Sequence, residues 1–484
     1  MRKRGLLKYV ALFVIIMALY IAFRAAGFQE NHNLIQGIMT VLLLEDVAFI
    51  VYKKCKGQLD TEDVVKAVLY AGLVMRIGYM LYNGFTVRSH DLGEISLDGY
   101  GHAAYVLKLM KTGHLPETSL GQFYQQPLFY FLGSTISWLV NSLLKCNEIY
   151  YLVDASKLVS CFASCGTLLA AHKIFEVTGL KDKGHVIALS LVAFMPDFYL
   201  LSSRVNCDAL AGFFMTLAML YTFYWYKEHS WKNTLCLAFI YGFAMMTKIS
   251  CGVMALFTAG VFVKALYDEI KVKKTAFLAV KYLAFGCISF PLGLWYSLRN
   301  YRLFGQSLTY VPKVSEKLPI YIGNRSIVQR LFYIDIANLF KTPYADPWKD
   351  YSFPVYLVKS ALFGEFKYTV PDWIPVILLS TAVILGCLLI GTVIWQLGKN
   401  RKSLFVSFSA AIVLIIYIST LFFCQRYPYG CSMDFRYIVF MVIPAGAVMA
   451  EYYSKALNKS WQKFVEVITI INAVFSCIMY IMVK

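Results

Sequence analysis

Charge is what this sequence has least of. Asp, Glu, Lys and Arg make up 15% of its 484 residues, against about 25% in soluble globular chains. So little polar surface cannot cover a core in water, which excludes a soluble globular protein; lipid is the missing solvent. The mean hydropathy of +0.59 agrees. Acids are the scarcer sign, 28 against 46 Lys and Arg, leaving a net charge of +18. In a soluble chain that excess would suggest nucleic acid. Here the basic residues sit mostly in short loops between apolar runs, as the positive-inside rule requires, so no nucleic-acid partner is expected. There is no Cys-x-x-Cys and no Cys/His cluster at metal-ligand spacing. Most of the twelve Cys, among them Cys161, Cys165, Cys236, Cys251, Cys287 and Cys387, lie inside apolar runs as small hydrophobes. No internal repeat is evident, and no linker long enough to separate two soluble domains. The opening Met-Arg-Lys-Arg resembles a signal sequence. Its apolar run, 6–24, is too long for an h-region, and no cleavage site is clear after Ala25-Ala26, so an uncleaved first span is expected.

What is present is a series of apolar runs of bilayer length, about 20 residues each. Candidates fall at 6–24, 34–52, 64–84, 125–144, 152–176, 185–203, 206–226, 233–249, 251–267, 276–296, 373–397, 403–424, 438–454 and 462–482. Basic clusters occur at Arg2-Lys3-Arg4, Lys53-Lys54-Lys56, Lys181/Lys183, Lys227/Lys232, Lys271-Lys273-Lys274, Lys399-Arg401-Lys402 and Lys455/Lys459. If all are cytoplasmic, each neighbouring pair is separated by an even number of crossings. Only the stretch from Lys56 to Lys181 breaks this, with three candidates. The segment 125–144 is interrupted by Pro127, Gly133, Ser134 and Ser137 and is rich in aromatics, the marks of a helix lying in the interface. Thirteen crossings are therefore expected, with the amino terminus inside and the carboxyl terminus outside.

That topology places five polar segments on one outer face: 85–151, 203–208, 247–250, 297–372 and 425–437. They hold His90-Asp91, His102, Arg204, Asp208, Lys248, Arg299-Asn300, Arg302, Glu365, Asp434 and Arg436. Charge beside apolar stretches is costly unless paired or functional. One or two carboxylates with several cations at a membrane rim are suited to holding a lipid phosphate and activating a nucleophile beside it. Lys248, Arg299 and Arg436 are the candidates for the phosphate, since fixed cationic donors stabilise charge growing on a departing oxygen. Each alone could equally anchor lipid headgroups. Asp208 and Asp434 pair with these cations or, as the minority reading, hold a divalent ion; no Asp-x-Asp cluster favours a metal.

Residues 88–131 run Arg-Ser-His-Asp-Leu-Gly, then Gly-His-Ala-Ala-Tyr-Val, His-Leu-Pro and Phe-Tyr-Gln-Gln-Pro-Leu-Phe-Tyr. Later come Arg204-Val-Asn-Cys-Asp208, Lys248, Pro291-Leu-Gly-Leu-Trp-Tyr-Ser-Leu-Arg299-Asn300, Phe363-Gly-Glu365 and Cys431-Ser-Met-Asp434-Phe-Arg436-Tyr437. This order resembles the GT-C glycosyltransferases over roughly 64–440, most of all bacterial members of the protein-mannosyltransferase-like and aminoarabinose-transferase-like group. The resemblance implies an all-α polytopic fold with juxtamembrane helices in the first outer loop. It implies transfer of a sugar from a polyprenyl-phosphate carrier at the outer leaflet of a bacterial cell membrane, with inversion and no required cofactor. Asp91 falls where that resemblance places the catalytic base. His90 and His102 would orient it or bind the sugar. Tyr124, Gln125 and Gln126 before Pro127 resemble the family's Tyr-Pro-Pro-like turn and would shape the acceptor groove. Many relatives carry Asp-Glu at the loop start where this chain has His90-Asp91.

The expected division is two spans over 1–63, a catalytic membrane module over 64–300 with outer loop 85–151, an extracytoplasmic loop with an interfacial helix over 301–372, and further spans over 373–484. Inside the membrane, Glu45-Asp46, Arg76, Asp154-Lys157 and Asp197 are expected to be paired. The segment 354–367 reads as amphipathic and aromatic, suited to roofing a lipid groove. A secondary transporter or flippase is the alternative function, but transporters commonly show two related halves and polar sites near the midplane. A non-catalytic scaffold leaves the gathering of Asp91, Lys248, Arg299 and Arg436 without a reason.

Overall fold

The computed structural model describes residues 3–270, 276–398 and 403–483; Arg2 and the clusters at 271–274 and 399–402 lie outside them. Among the described residues the chain is helical throughout. Helices α1 (Lys3–Ala25), α2 (His32–Cys55) and α3 (Thr61–Tyr82) come first. The loop between α3 and α7 (Lys157–Thr178) carries α4 (His102–Thr112), α5 (Leu128–Leu144) and α6 (Ile149–Asp154). Then follow α8 (Asp182–Ala193), α9 (Pro196–Ser202), α10 (Asp208–Lys227), α11 (Trp231–Thr247), α12 (Met254–Ile270) and α13 (Ala276–Phe304). Short helices α14 (Ile327–Phe332), α15 (Ile336–Lys341) and α16 (Phe353–Phe363) precede α17 (Trp373–Gly398), α18 (Leu404–Arg426), α19 (Val442–Lys455) and α20 (Lys459–Met482).

The chain is an integral multi-pass membrane protein. Among the described residues ten helices are long and apolar enough to cross a bilayer, or eleven if α8 and α9, bent by 45°, form one span. The expected thirteen counts two further stretches, where α11 and α19 reach only 17 and 14 residues. Hydropathy reads 438–454 as one run, but the chain there starts with a 3-10 turn at Val439–Met441. Helix α5 has 17 residues, about 26 Å against a hydrocarbon core of about 30 Å. Its Gly133, Ser134, Ser137 and Asn141 are buried, whereas Phe131, Trp138 and Leu143 are about 60% exposed. The residues that interrupt the apolar run are thus its packing face; a Cβ on Gly133 would meet Ser156 Cβ at 3.0 Å.

The chain divides into two compact units. The first comprises Met1–Ile35, Arg76–Ala170 and Leu201–Val311. Helix α1 is fastened into it by a buried polar cluster. Tyr20 Oη donates to Asp154 Oδ2 at 2.6 Å, Lys157 Nζ lies 2.8 Å from Asp154 Oδ1, and Gln29 donates to the same carboxylate. Lys157 also donates to the Asn83 carbonyl at 3.2 Å. Asp154 and Lys157 are fully buried, and a charge there without its partner costs several kcal/mol, on the order of 3–5. The expected pairing of these two residues is what is found. Helices α11 and α13 approach closely at facing glycines. A Cβ on Gly242 would lie 2.5 Å from Leu292, and one on Gly293 would lie 2.6 Å from Met245. Small residues bring membrane helices together in this way.

The second unit comprises Gln36–Met75, Ala171–Leu200 and Pro312–Lys484. Val393, Val406, Ala410 and Val448 form a small core among α17, α18 and α19. The sequence expects an amphipathic helix over 354–367; α16 forms there, but eight of its eleven residues are buried. Tyr480 Oη donates to the Leu362 carbonyl at 2.5 Å, and the Phe435 amide donates to Ser360 Oγ at 3.0 Å. Lys359 is buried with them, and burial pulls its amine below the usual lysine range. On α2, mid-span Glu45 is exposed and Asp46 half-buried.

Candidate active site

Nine of the eleven residues singled out by sequence lie in the first unit; Asp434 and Arg436 lie in the second. The first unit's chemistry starts at Asp91. This residue sits in left-handed backbone (φ 54°) with its side chain exposed. Its carbonyl accepts from the His102 amide at 3.0 Å, and the Leu92 carbonyl accepts from Ala103 at 3.3 Å. The loop residue therefore satisfies an otherwise unpaired N–H in the first turn of α4. Asp tolerates the left-handed region better than most residues. Only glycine fits at 101, where a Cβ would stand 1.8 Å from the Leu92 carbonyl oxygen. The loop is thus held by backbone, and the carboxylate is left free for solvent or ligand.

Behind it lies an aromatic wall. His102 is buried, with Nδ1 2.6 Å from Tyr130 Oη. Tyr130 stacks on Tyr105 at 3.9 Å between ring centroids. Tyr105 Oη donates to Tyr296 Oη at 2.9 Å, which donates to the Phe123 carbonyl at 2.7 Å. Burial lifts the Tyr105 and Tyr130 phenols well above their ordinary range, so they act as neutral donors. Tyr124 is raised too, by burial first and then by the negative charge of Asp91. Gln125 Nε2 donates to Tyr124 Oη at 3.0 Å, and Gln126 Nε2 to Ser297 Oγ at 2.8 Å.

The cations of this unit have separate partners. Lys248, between α11 and the 3-10 turn Ile249–Val253, places Nζ 2.5 Å from Oδ1 of Asp208, the first residue of α10. A carboxylate at a helix N-terminus is favoured by the dipole as well. The sequence expects Asp208 to pair with one of the cations Lys248, Arg299 and Arg436, and Lys248 is the one beside it. Arg204 is 1% exposed, and its carbonyl accepts from Ser160 Oγ at 2.6 Å. Arg299 is committed to structure: Nη2 donates to the Pro116 carbonyl at 2.8 Å, Nη1 to Asn300 Oδ1 at 3.0 Å, and the guanidinium lies over Tyr296. It ties the loop between α3 and α7 to the end of α13. His90 is half-buried beside Asp91 in sequence.

In the second unit, Asp434 is fully buried. Its Oδ1 accepts from the Arg436 amide at 3.1 Å, and its Oδ2 lies 3.4 Å from Arg436 Nε. Arg436 Nη2 donates to Tyr437 Oη at 2.8 Å. Tyr356 donates to Glu365, and its phenol is raised by burial and then by the charges of Glu365 and Asp434. Glu365 and Asp434 bring carboxylate oxygens within 4.8 Å of each other.

Sequence reasoning missed Tyr105, Tyr130, Tyr296, Ser297 and Gln306, all neutral residues inside apolar or loop stretches. The one signal for them was the run Trp295-Tyr296-Ser297 ahead of Arg299-Asn300.

Residues 152–295 match the family profile described as dolichyl-phosphate-mannose-protein mannosyltransferase. The match takes in Arg204, Asp208 and Lys248, lies inside the stretch that carries the GT-C resemblance, and agrees with it. No curated protein sequence matches the chain. Among solved structures, the apo oligosaccharyltransferase of Archaeoglobus fulgidus is similar at 11% identity and a TM-score of 0.49, covering 86% of this chain and 55% of that one. ArnT from Cupriavidus metallidurans bound to undecaprenyl phosphate is similar at 12% identity and a TM-score of 0.33, covering 80% of this chain and 76% of that one. The chain spans about half the length of the oligosaccharyltransferase.

Proposed function

We propose that this protein transfers a sugar from a polyprenyl-phosphate carrier to an acceptor hydroxyl on the extracytoplasmic face. The hydroxyl oxygen attacks the anomeric carbon, Asp91 takes its proton, and the bond from that carbon to the phosphate oxygen breaks with inversion. The carrier leaves as the lipid phosphate. The observation that carries this reading is Asp91: an exposed carboxylate on a backbone-locked loop, in the unit that holds most of the mannosyltransferase-like segment. Asp91→Asn should lower sugar transfer by at least about a hundredfold, the lower range for a lost general base. Near-wild-type turnover in a folded Asp91→Asn protein would remove Asp91 from the role.

Lys248, already beside a carboxylate, is the proposed counter-charge for the phosphate in this unit; Arg299 instead holds the loop. With Asp208 and Asp434 paired to cations, the proposed chemistry uses no divalent ion. Dialysis against EDTA should leave turnover within about twofold. A loss restored by Mg²⁺ or Mn²⁺ would move Glu365 and Asp434 into a metal-binding role. The acceptor, protein or glycan, is left to its hydroxyl chemistry.

A further inference from the structure

A narrow slot of about 30 Å³ lies in the first unit, lined by Tyr124, Gln126, Ser297, Asn300, Gln306 and Tyr310 among others. That is room for one or two hydroxyl-sized groups, not for a sugar ring. Gln126, Ser297, Asn300 and Gln306 are each less than 8% exposed. Among the described residues no charged side chain lines it. Two of the lining residues nevertheless hold unmet hydrogen-bonding capacity. Gln126 spends its Nε2 on Ser297 Oγ, while its Oε1 accepts from none of the described residues. Gln306 Oε1 is buried and equally without a donor. Buried amide oxygens are nearly always satisfied. These two residues, 180 positions apart in sequence, line one opening together with Tyr124.

Acceptor oxygens repel a phosphate or carboxylate, and an ammonium buried there would have no carboxylate to neutralise it. A neutral hydroxyl fits both size and polarity. We propose that this slot receives one hydroxyl of the carbohydrate substrate, so that it reads a single position of an uncharged sugar ring. The proposal rests on the sugar-transfer reading for its choice of ligand. The hydroxyl comes either from the donor's sugar or from the acceptor, and the chemistry at the slot is the same for both.

The test uses the full chain in lipid nanodiscs and saturation-transfer NMR, which needs no turnover. The probes are methyl glycosides of mannose, glucose and galactose with their monodeoxy counterparts. In the wild type, removing one particular hydroxyl should weaken binding by about tenfold or more, because the amide oxygens lose their donor. In Gln126→Met and Gln306→Met, which keep the side-chain length, the same removal should matter less than about threefold. Gln306→Glu supplies a compensating charge and should turn preference towards the aminodeoxy glycoside by about tenfold, an arm that stands if a Met variant does not fold. Deoxy probes that bind like their parents in the wild type would mean the slot holds water only, and so would a penalty that the variants retain; either overturns the proposal. With polyprenyl-phosphate sugars, a penalty in donor KM assigns the hydroxyl to the donor, and one in acceptor KM assigns it to the acceptor. If glycosides show this pattern but no carrier is released from any donor, the slot stands and the transfer reading falls.

Discussion

Asp91 separates backbone from chemistry in a way that single substitutions can exploit. Its left-handed φ suits Asp and Asn and disfavours Ala by about 1 kcal/mol. Asp91→Asn should therefore match the wild type in thermal unfolding while losing turnover, and Asp91→Ala should melt lower as well as lose turnover. Equal melting of the two variants would mean that the loop does not enforce the left-handed turn. At the Lys248–Asp208 pair the roles differ. Lys248→Met leaves the largely buried Asp208 carboxylate without its nearest cation, at a cost of about 2–3 kcal/mol once the partial exposure of Lys248 is discounted. Adding Asp208→Asn should recover most of that stability but not the activity, if Lys248 also serves the phosphate. Recovery of both in the double variant would make the pair purely structural. The Lys248–Asp208 pairing was legible in sequence because opposite charges near apolar runs have few places to go. The tie from Arg299 to the loop was not legible, because its partner is the Pro116 carbonyl, and a carbonyl leaves no mark on sequence.

Among the elements, α5 is where pattern reading was most instructive. Its length was legible, but Gly133, Ser134 and Ser137, read as interruptions of an apolar run, are buried, with Gly133 against Ser156 and Val106 of α4. Helical periodicity records which residues share a face, not whether that face meets lipid or protein. Thr135 lies on the exposed side of α5. Thr135→Cys should react with an impermeant thiol reagent from the outside of sealed vesicles if α5 lies in the outer interface. Labelling only from the cytoplasmic side would break that topology. The hydropathy count ran past the ends of the short α11 and α19 for a related reason: an apolar run continues through a turn, where the helix does not.

For the whole molecule, composition was enough to establish a helical membrane protein, and the position of Asp91 and the order of the later polar segments were enough to propose sugar transfer. Neutral contacts were not legible: the Tyr105–Tyr296–Phe123 hydrogen-bond chain and the slot between Gln126 and Gln306 join residues far apart in sequence that carry no charge to draw attention. The first helix, which could have been an appended anchor, is locked into the first unit by Tyr20 and Asp154. The most direct measurement is release of polyprenyl phosphate when the purified full-length protein is incubated in nanodiscs with a panel of polyprenyl-phosphate sugars and a hydroxyl acceptor mixture. Sugar transfer through Asp91 requires carrier release with at least one donor, and its loss in Asp91→Asn. A folded wild-type protein that releases carrier from none of them, or an Asp91→Asn protein that releases it as fast as the wild type, would contradict it.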